Sequence, residues 1–294
     1  MSTKGEKTAM EAFTNIMTLA KLPQDTVAYL QSVYARMQKD GELMQMLYQA
    51  RELVWAHEET ASIRNRIAQR AKVHPYTMDL ILLILCFDQL RQVYREKGYS
   101  EELFVETVSD LRYKLEECRQ VYGIHGNFVF FWYPGYFDCT RFQLGRLQFE
   151  PHEMKNDYKD ILKAGDVILR CHIPMAGPLT PEAVQDSLER AYRFFGIKGK
   201  LYVHCASWLL YPGHYALYPE GSNLRKFYDL FDVYSQKLTP DSGNSWRVFG
   251  TMEKRPEYLP EDTSLRRAFK RYFMDGNCMG SGSGILIYEK EEIR

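Results

Sequence analysis

The segment "DVILRCHIPMAGPLTPEAVQDSLERAYRFFGIKGKLYVHCASWLL", residues 166–210, contains a strand-like run, a loop, a helical pattern and a second strand-like run. The helix is well marked, because Thr180 can cap its amino end, Pro181 suits the first helical position and Gly196 can end it. Its apolar residues share one face, namely Val184, Leu188, Ala191 and Phe195. This order predicts a right-handed βαβ unit with two parallel strands.

The chain changes character near its middle. Apolar residues recur at helical spacing over residues 7–121, with interruptions at Pro23, at residues 40–41, at residues 74–75 and at residues 98–100, where Ser100 is a candidate cap. From about residue 126 the runs "NFVFFWY" and "RLQFE" are typical of strands, so we expect an antiparallel meander over residues 127–150. The fold class is therefore α+β, with a helical domain over residues 1–122 and a mixed α/β domain over residues 123–294.

Beyond the βαβ unit, four further elements are expected. They are a helix in "SNLRKFYDLFDVYSQKL" with Ser222 as its cap, a strand in "SWRVFG", a helix in "TSLRRAFKRYFMDG" and a strand in "SGILIY". The glycine-rich run "GNCMGSGSGIL", residues 276–286, lacks the Lys-Ser/Thr pair of a phosphate-binding P-loop. We expect a flexible hairpin turn or a lid there.

Composition limits the partners. Lys plus Arg equals Asp plus Glu at 38 each, so no net field attracts nucleic acid or anionic lipid, and we expect neither a nucleic-acid nor a membrane partner. The first residues lack a secretory signal pattern and the apolar run Leu80–Phe87 is too short to span a bilayer, so we expect a cytoplasmic protein. The six cysteines show no C-x-x-C pair, which favours reduced, mostly buried thiols.

The loop at residues 173–182 leads from the first strand of the βαβ unit into the helix, where free N–H groups and the helix dipole favour an anion. Three prolines in this loop donate no N–H and Glu182 adds negative charge, which favours an ordinary tight connection instead. From spacing alone, both interpretations stay open.

Several side chains could carry chemistry. The pairs Cys171-His172 and His204-Cys205 each offer one ligand to any one face of a strand, so we predict no metal site. Cys205 could be a nucleophile with His172 or His214 as its base, and the alternative is an inert buried cysteine. Tyr228 and Tyr234, expected on the helix after the second strand, could act as general acids or be structural.

The motifs "LGRLQFE", "HIP" with "GPLT", "CASWLL" followed by Pro212, "SNLRKF" and "LPEDTSLRRAFKRYFMDG" resemble, in the same order, a two-domain acyltransferase-like family with a helical N-terminal domain and a GNAT-like C-terminal domain. The resemblance implies that acyl-CoA or acetyl-CoA is the co-substrate and lies between two splayed parallel strands. It also implies that the N–H groups of Gly177, Leu179 and Thr180 hold the CoA pyrophosphate, although the superfamily's Q/R-x-x-G-x-G/A motif is absent. Asn223 would lie beside the pantetheine arm, or else belong to the helix start beside Ser222.

The activity that the resemblance implies is acyl-CoA-dependent N-acyl transfer to a small-molecule or peptide amine, with no metal and with the helical domain contributing to the acceptor site. The amine would attack the thioester directly, with His172 as the base and Tyr228 or Tyr234 as the acid. Two alternatives remain, a thiol acyltransferase or hydrolase that uses Cys205 and a non-catalytic binding module on the same scaffold.

Overall fold

The computed structural model describes residues 3–289, which form two compact units that divide between Phe142 and Gln143. The first unit thus includes residues 123–142, which the sequence assigned to the second domain. Aromatic side chains hold this segment to the helices, because the rings of Tyr133, Tyr136 and Phe137 lie 5.9, 6.1 and 5.7 Å from that of Phe87. The division follows these buried contacts rather than the end of the helical pattern.

The described part of the first unit is helical, as predicted. Its helices are α1 Thr3–Leu19, α2 Gln24–Met37, α3 Gly41–Trp55, α4 Ala61–Ala71, α5 Pro75–Glu96, α6 Glu101–Val108, α7 Asp110–Tyr122 and the short α8 Pro134–Phe137. The four predicted interruptions all lie between helices, and Ser100 caps α6 by accepting the N–H of Leu103 at 3.2 Å. A further break at Ser109 divides α6 from α7, where the hydroxyl donates to the carbonyl of Val105.

The apolar run of α5, Leu80–Phe87, is buried among the other helices. No single helix within residues 3–289 has the length and apolar character of a membrane span, although the bent pair α4 and α5, which meet at 109°, passes such a test by length and composition.

The second unit is built on a six-stranded sheet in the order β1-β2-β3-β4-β6-β5. The strands are β1 Phe142–Leu144, β2 Leu147–Glu153, β3 Val167–His172, β4 Lys200–Ser207, β5 Asp232–Thr239 and β6 Met279–Glu289. β3 and β4 are parallel, whereas β2 with β3, β4 with β6 and β5 with β6 are antiparallel. The helices are α9 Pro181–Phe194, α10 Asn223–Tyr228, α11 Trp246–Phe249 and α12 Ser264–Met274. The order β3, α9, β4 confirms the βαβ unit and the α+β class.

The expected meander is only partly present, since "NFVFFWY" is not a strand. Residues 130–132 form a 3-10 turn and α8 follows at Pro134. Asn127 fixes this turn with its side chain, which accepts the N–H of Val129 and donates to the hydroxyl of Tyr133, both at 2.9 Å. The aromatic residues here are buried by helices instead of by a sheet.

Two other predicted elements are wrong. In "SNLRKFYDLFDVYSQKL" the helix ends at Tyr228 and the rest is strand β5, which pairs along β6. The run "SWRVFG" is the helical turn α11, closed by a 2.7 Å bond from the N–H of Gly250 to the carbonyl of Trp246. In both segments, tertiary pairing and burial override the local pattern.

The glycine-rich run is neither a lid nor a hairpin turn, because from Met279 onward it belongs to β6 between β4 and β5. A methyl group added at Gly282 would overlap the carbonyl oxygen of Leu210, and one at Gly280 would overlap the ring of Tyr211. These glycines are therefore needed because the segment after β4 packs directly onto the strand.

Candidate functional site

The two parallel strands of the βαβ unit separate towards their carboxyl ends. Among the described residues, β3 and β4 pair only at Leu169 with Val203 and at Arg170 with His204. The strands nevertheless continue to His172 and to residue 207. A gap therefore opens in the sheet beside the loop that leads into α9, as in the splayed strands that the resemblance implies.

The loop between β3 and α9 is held by Arg146, which lies in the turn between β1 and β2. Its guanidinium donates to the carbonyls of Pro174 at 2.7 Å, Gly177 at 3.0 Å and Pro178 at 3.2 Å. The turn itself is tied to α9, because Ser187 Oγ accepts the N–H groups of Arg146 and residue 147 at 2.7 and 3.2 Å. Three carbonyl groups of the loop are thus bound by a single guanidinium.

The N–H side of the same loop is open. Within residues 3–289 no hydrogen bond takes up the backbone N–H of Gly177, Leu179 or Thr180. Thr180 caps α9 as predicted, its hydroxyl accepting the N–H of Ala183 at 3.3 Å. The loop thus offers unpaired N–H donors next to the positive end of the α9 dipole, a combination that favours an anion.

A cavity of about 400 Å³ lies between α9 and α10. Its walls are mostly apolar and include Leu179, Val184, Leu188, Phe227 and Leu230, with Gln185, Lys226 and Asp229 as the polar side chains. Asn223 is the first residue of α10, directly after Ser222, which caps this helix by accepting the N–H of Arg225 at 3.4 Å. A slot of this size and character suits a flexible, mainly apolar chain.

Five polar side chains share one face of the sheet, and we call them the polar cluster: Glu150, His152, Arg170, His172 and His204. Pairing places Glu150 opposite Arg170 and Arg170 opposite His204. His172 Nε2 lies 2.8 Å from Glu150 Oε1. The imidazoles of His152 and His204 are stacked, with centroids 4.6 Å apart and planes within 20°. Arg170 contacts both imidazoles and lies near the carboxylate.

Burial and positive neighbours control the charge of this cluster. Burial first, and then His152 and Arg170, lower the pKa of His204 to about 3. Burial and Arg170 also lower the pKa of His152, against the opposing effect of Glu150. Both stacked imidazoles are therefore neutral near pH 7.

The two candidate tyrosines lie in different places. Tyr234 is on β5, not on the expected helix, and its ring lies 6.4 Å from that of His204. Tyr228 ends α10 and packs against Tyr215 at 4.8 Å. Burial raises the pKa of both phenols, so both keep their protons at neutral pH. Tyr234 is the phenol that the fold brings to the polar cluster.

Cys205 lies on the other face of the sheet, fully buried, with its thiol hydrogen-bonded to that of Cys171. This bond and burial raise the pKa of Cys171. His172 is on the polar face, and His214 is engaged at both nitrogens, by the carbonyl of Trp208 at 2.9 Å and by the N–H of Gly280 at 3.4 Å. The fold thus pairs Cys205 with a thiol rather than with either candidate base.

The other cysteines resemble Cys171 and Cys205 in forming no disulfide. All six cysteines are free, and Cys86, Cys118, Cys171 and Cys205 are buried, which confirms reduced and mostly buried thiols. Within the described part of the chain, no group of three or more His, Cys, Asp or Glu side chains is arranged to hold a metal ion.

The sequence analysis did not single out Glu150, His152 or Arg170, and it considered His204 only as a metal ligand. A signal was present, because titratable residues alternate at Glu150 and His152 in β2 and at Arg170 and His172 in β3. A face that carries several titratable side chains on adjacent strands is better interpreted as a site.

Comparisons with known proteins agree with this geometry. A model of the N-acyltransferase N-terminal domain matches residues 11–139, and a model of the GNAT-like C-terminal domain matches residues 141–286. No curated protein matches the chain.

Solved structures share the fold. One is described as an acyltransferase in complex with decanoyl-CoA and teicoplanin. It is 21% identical in sequence to this chain, and the alignment covers 93% of this chain and 86% of that chain, with a TM-score of 0.75. An acyltransferase mutant in complex with octanoyl-CoA is 21% identical over 92% of this chain and 86% of its own, with a TM-score of 0.75. The two consecutive domain models together span nearly the whole chain, which therefore belongs to the two-domain acyltransferase-like family, with an N-acyltransferase N-terminal domain and a GNAT-like C-terminal domain.

Proposed function

We propose that this protein is an acyl-CoA-dependent N-acyltransferase. The observation that carries the proposal is the 2.8 Å contact between His172 and Glu150 at the carboxyl end of β3, directly beside the gap between β3 and β4. A carboxylate-oriented imidazole next to an opening for a thioester is an arrangement suited to removing a proton from an attacking amine.

Binding of acyl-CoA is assigned to the loop before α9 and to the gap. The open N–H groups of Gly177, Leu179 and Thr180 would take the pyrophosphate, and Lys226 lies beside the neighbouring cavity. The apolar cavity between α9 and α10 would receive a flexible part of the same ligand. Solved structures with this fold are described as complexes with CoA and with decanoyl-CoA, which supports the assignment.

The chemistry needs one base and one acid. An ionised Glu150 only accepts hydrogen bonds, so it takes the Nε2–H of His172 and makes Nδ1 the basic nitrogen. As the amine nitrogen bonds to the thioester carbon, its proton passes to His172, and Glu150 stabilises the imidazolium that forms. The carbon–sulfur bond then breaks, and the departing thiolate takes a proton from a phenol, which we assign to Tyr234 rather than to Tyr228.

The acceptor is proposed to be an amine carried by a small molecule or a peptide. Solved structures of the same fold are described as complexes with decanoyl-CoA and teicoplanin, and with CoA and 10C-teicoplanin. These complexes support a bulky acceptor of that kind for this chain as well.

The test is release of free CoA thiol from decanoyl-CoA in the presence of a panel of primary amines, with amide products identified by mass spectrometry. Replacing His172 by glutamine should lower turnover by about 100-fold or more, and Glu150→Gln by a smaller factor, because only the first removes the base. Cys205→Ala should turn over like the wild type.

Two results would redirect the assignment. Loss of turnover in a folded Cys205→Ala variant would favour the thiol mechanism. Tight binding of decanoyl-CoA without thiol release for any amine would favour a binding module.

A further inference from the structure

Arg170 lies at the centre of the polar cluster, with three partners from the two neighbouring strands β2 and β4. Its Nη2 is 3.2 Å from His152 Nε2, its Nε is 3.4 Å from His204 Nδ1, and its Nη1 is 3.9 Å from Glu150 Oε1. We propose that Arg170 is a positioning residue that fixes the proton positions of this cluster, so that His172 is the member of its three histidines that accepts a proton. This inference rests on the proposed function, in which His172 is the base.

Hydrogen bonding to Arg170 fixes which nitrogen of His152 and of His204 carries the proton. A guanidinium has five N–H donors and no acceptor. An imidazole nitrogen that contacts it must therefore offer a lone pair, which makes His152 carry its proton on Nδ1 and His204 carry its proton on Nε2. Both rings are held in one neutral tautomer by the same side chain.

The second step is electrostatic. The rings of His152 and His204 are stacked, so two imidazolium charges there would repel each other and the permanent cation of Arg170. The charged and titratable groups that face them are Glu150 from β2, His172 and Arg170 from β3, Lys155 after β2, and the phenol of Tyr234 from β5. Among these, only Glu150 favours protonation of the stack, and Arg170 opposes it.

The third step concerns the carboxylate. Arg170 and His172 both approach the same oxygen, Glu150 Oε1, at 3.9 and 2.8 Å. The guanidinium therefore attracts the same carboxylate oxygen that contacts His172. Arg170 acts on the reaction through Glu150 and the stack, without being placed at the reacting atoms.

The experiment is a histidine titration by NMR, which needs no substrate. Imidazole C–H signals of the full chain are followed from about pH 5 to 8, the range in which an ordinary histidine titrates. His152→Gln and His204→Gln assign the signals. The variants are Arg170→Met, which removes the guanidinium, and Arg170→Lys, which keeps a charge but loses the fork. Arg190→Met, on α9, removes one exposed arginine that pairs with Asp186 outside the cluster and is the matched control.

In the wild type, His204 should not titrate across this range, and the titration midpoint of His152 should lie below that of an ordinary histidine. In Arg170→Met the midpoint of His152 should rise by about one pH unit or more, and Arg170→Lys should lie between the two. Arg190→Met should match the wild type. Unchanged titration of both histidines in Arg170→Met and Arg170→Lys, or ordinary titration of both in the wild type, would overturn the inference.

The titration also separates this inference from the proposed function. If acyl transfer occurs, kcat of Arg170→Lys should fall by about tenfold or more and its pH profile should shift, while KM for acyl-CoA stays within about threefold. If no amine is acylated but the titration behaves as expected, the proposed function fails and the role of Arg170 in fixing protonation stands.

Discussion

Replacing Arg146 by methionine should weaken CoA binding without unfolding the second unit. The guanidinium donates to three carbonyls of the loop before α9, at 2.7, 3.0 and 3.2 Å. Methionine keeps an apolar stem of similar length, and the backbone N–H of residue 146 keeps its 2.7 Å bond to Ser187. The bonds to the three loop carbonyls are lost.

The size of the effect follows from these bonds. Net hydrogen bonds to charged groups are worth about 1.5–3 kcal/mol each, but Arg146 is only half-buried, so the three together should restrain the loop by about 1.5–3 kcal/mol. Because the open N–H groups bind an anion only when the loop is ordered, this loss corresponds to a Kd for CoA that is about 10- to 100-fold weaker.

Calorimetric titration with CoA measures this difference. Arg146→Lys should recover part of the affinity, since it offers a cation to the same carbonyls without the planar fork. Arg190→Met changes the net charge equally and should bind like the wild type. An Arg146→Met variant with wild-type affinity would refute the role of this arginine in holding the loop.

Three further outcomes are expected. Gly282→Ala forces a methyl group onto the carbonyl of Leu210 and should destabilise the second unit by about 3 kcal/mol or more in urea unfolding, whereas Gly243→Ala should cost less than about 1 kcal/mol; equal costs would contradict the packing argument. His204, with its pKa lowered to about 3, should make stability fall as the pH falls from about 6.5 towards that value, because the unfolded state binds the proton first. In thermal melts, His204→Gln should flatten this dependence, and an unchanged slope would count against it. Thr180→Ala should destabilise by about 1 kcal/mol and Thr180→Ser by much less, since only the serine keeps a capping hydroxyl; equal melting shifts would contradict the cap.

The βαβ unit could be predicted because its signals are local. Thr180, Pro181 and Gly196 mark the ends of α9 through the chemistry of their own backbone and side chains, and those contacts are present. The parallel pairing of β3 and β4 then follows from the chirality of the crossover.

The predictions from sequence were wrong where pairing between distant segments determines the secondary structure. β5 reads as the second half of a helix, but its hydrogen bonds run along β6, more than forty residues further on in the chain. Such a pairing leaves no mark on the local pattern. The role of Gly280 and Gly282 in β6 was similarly ambiguous from sequence, because these glycines are required by the close approach of Leu210 and Tyr211 and not by a turn.

The candidate site was half predictable. His172 and the loop of Gly177, Leu179 and Thr180 lie where the strand and helix pattern placed them. The partners of His172 depend on register, since Glu150 and Arg170 meet only because β2 pairs antiparallel with β3 in one alignment. A shift of one residue between β2 and β3 would put the side chains of Glu150 and His152 on the opposite face from those of Arg170 and His172.

Hydrogen–deuterium exchange of the full chain, with and without saturating decanoyl-CoA, tests whether acyl-CoA lies between β3 and β4. We expect slower exchange at the amides of residues 175–177, 179–180 and the first turn of α9, together with the carboxyl ends of β3 and β4. The control region is α11, which should exchange at an unchanged rate. Unchanged exchange in the loop before α9, or protection confined to another part of the described chain, would contradict the placement of acyl-CoA between β3 and β4.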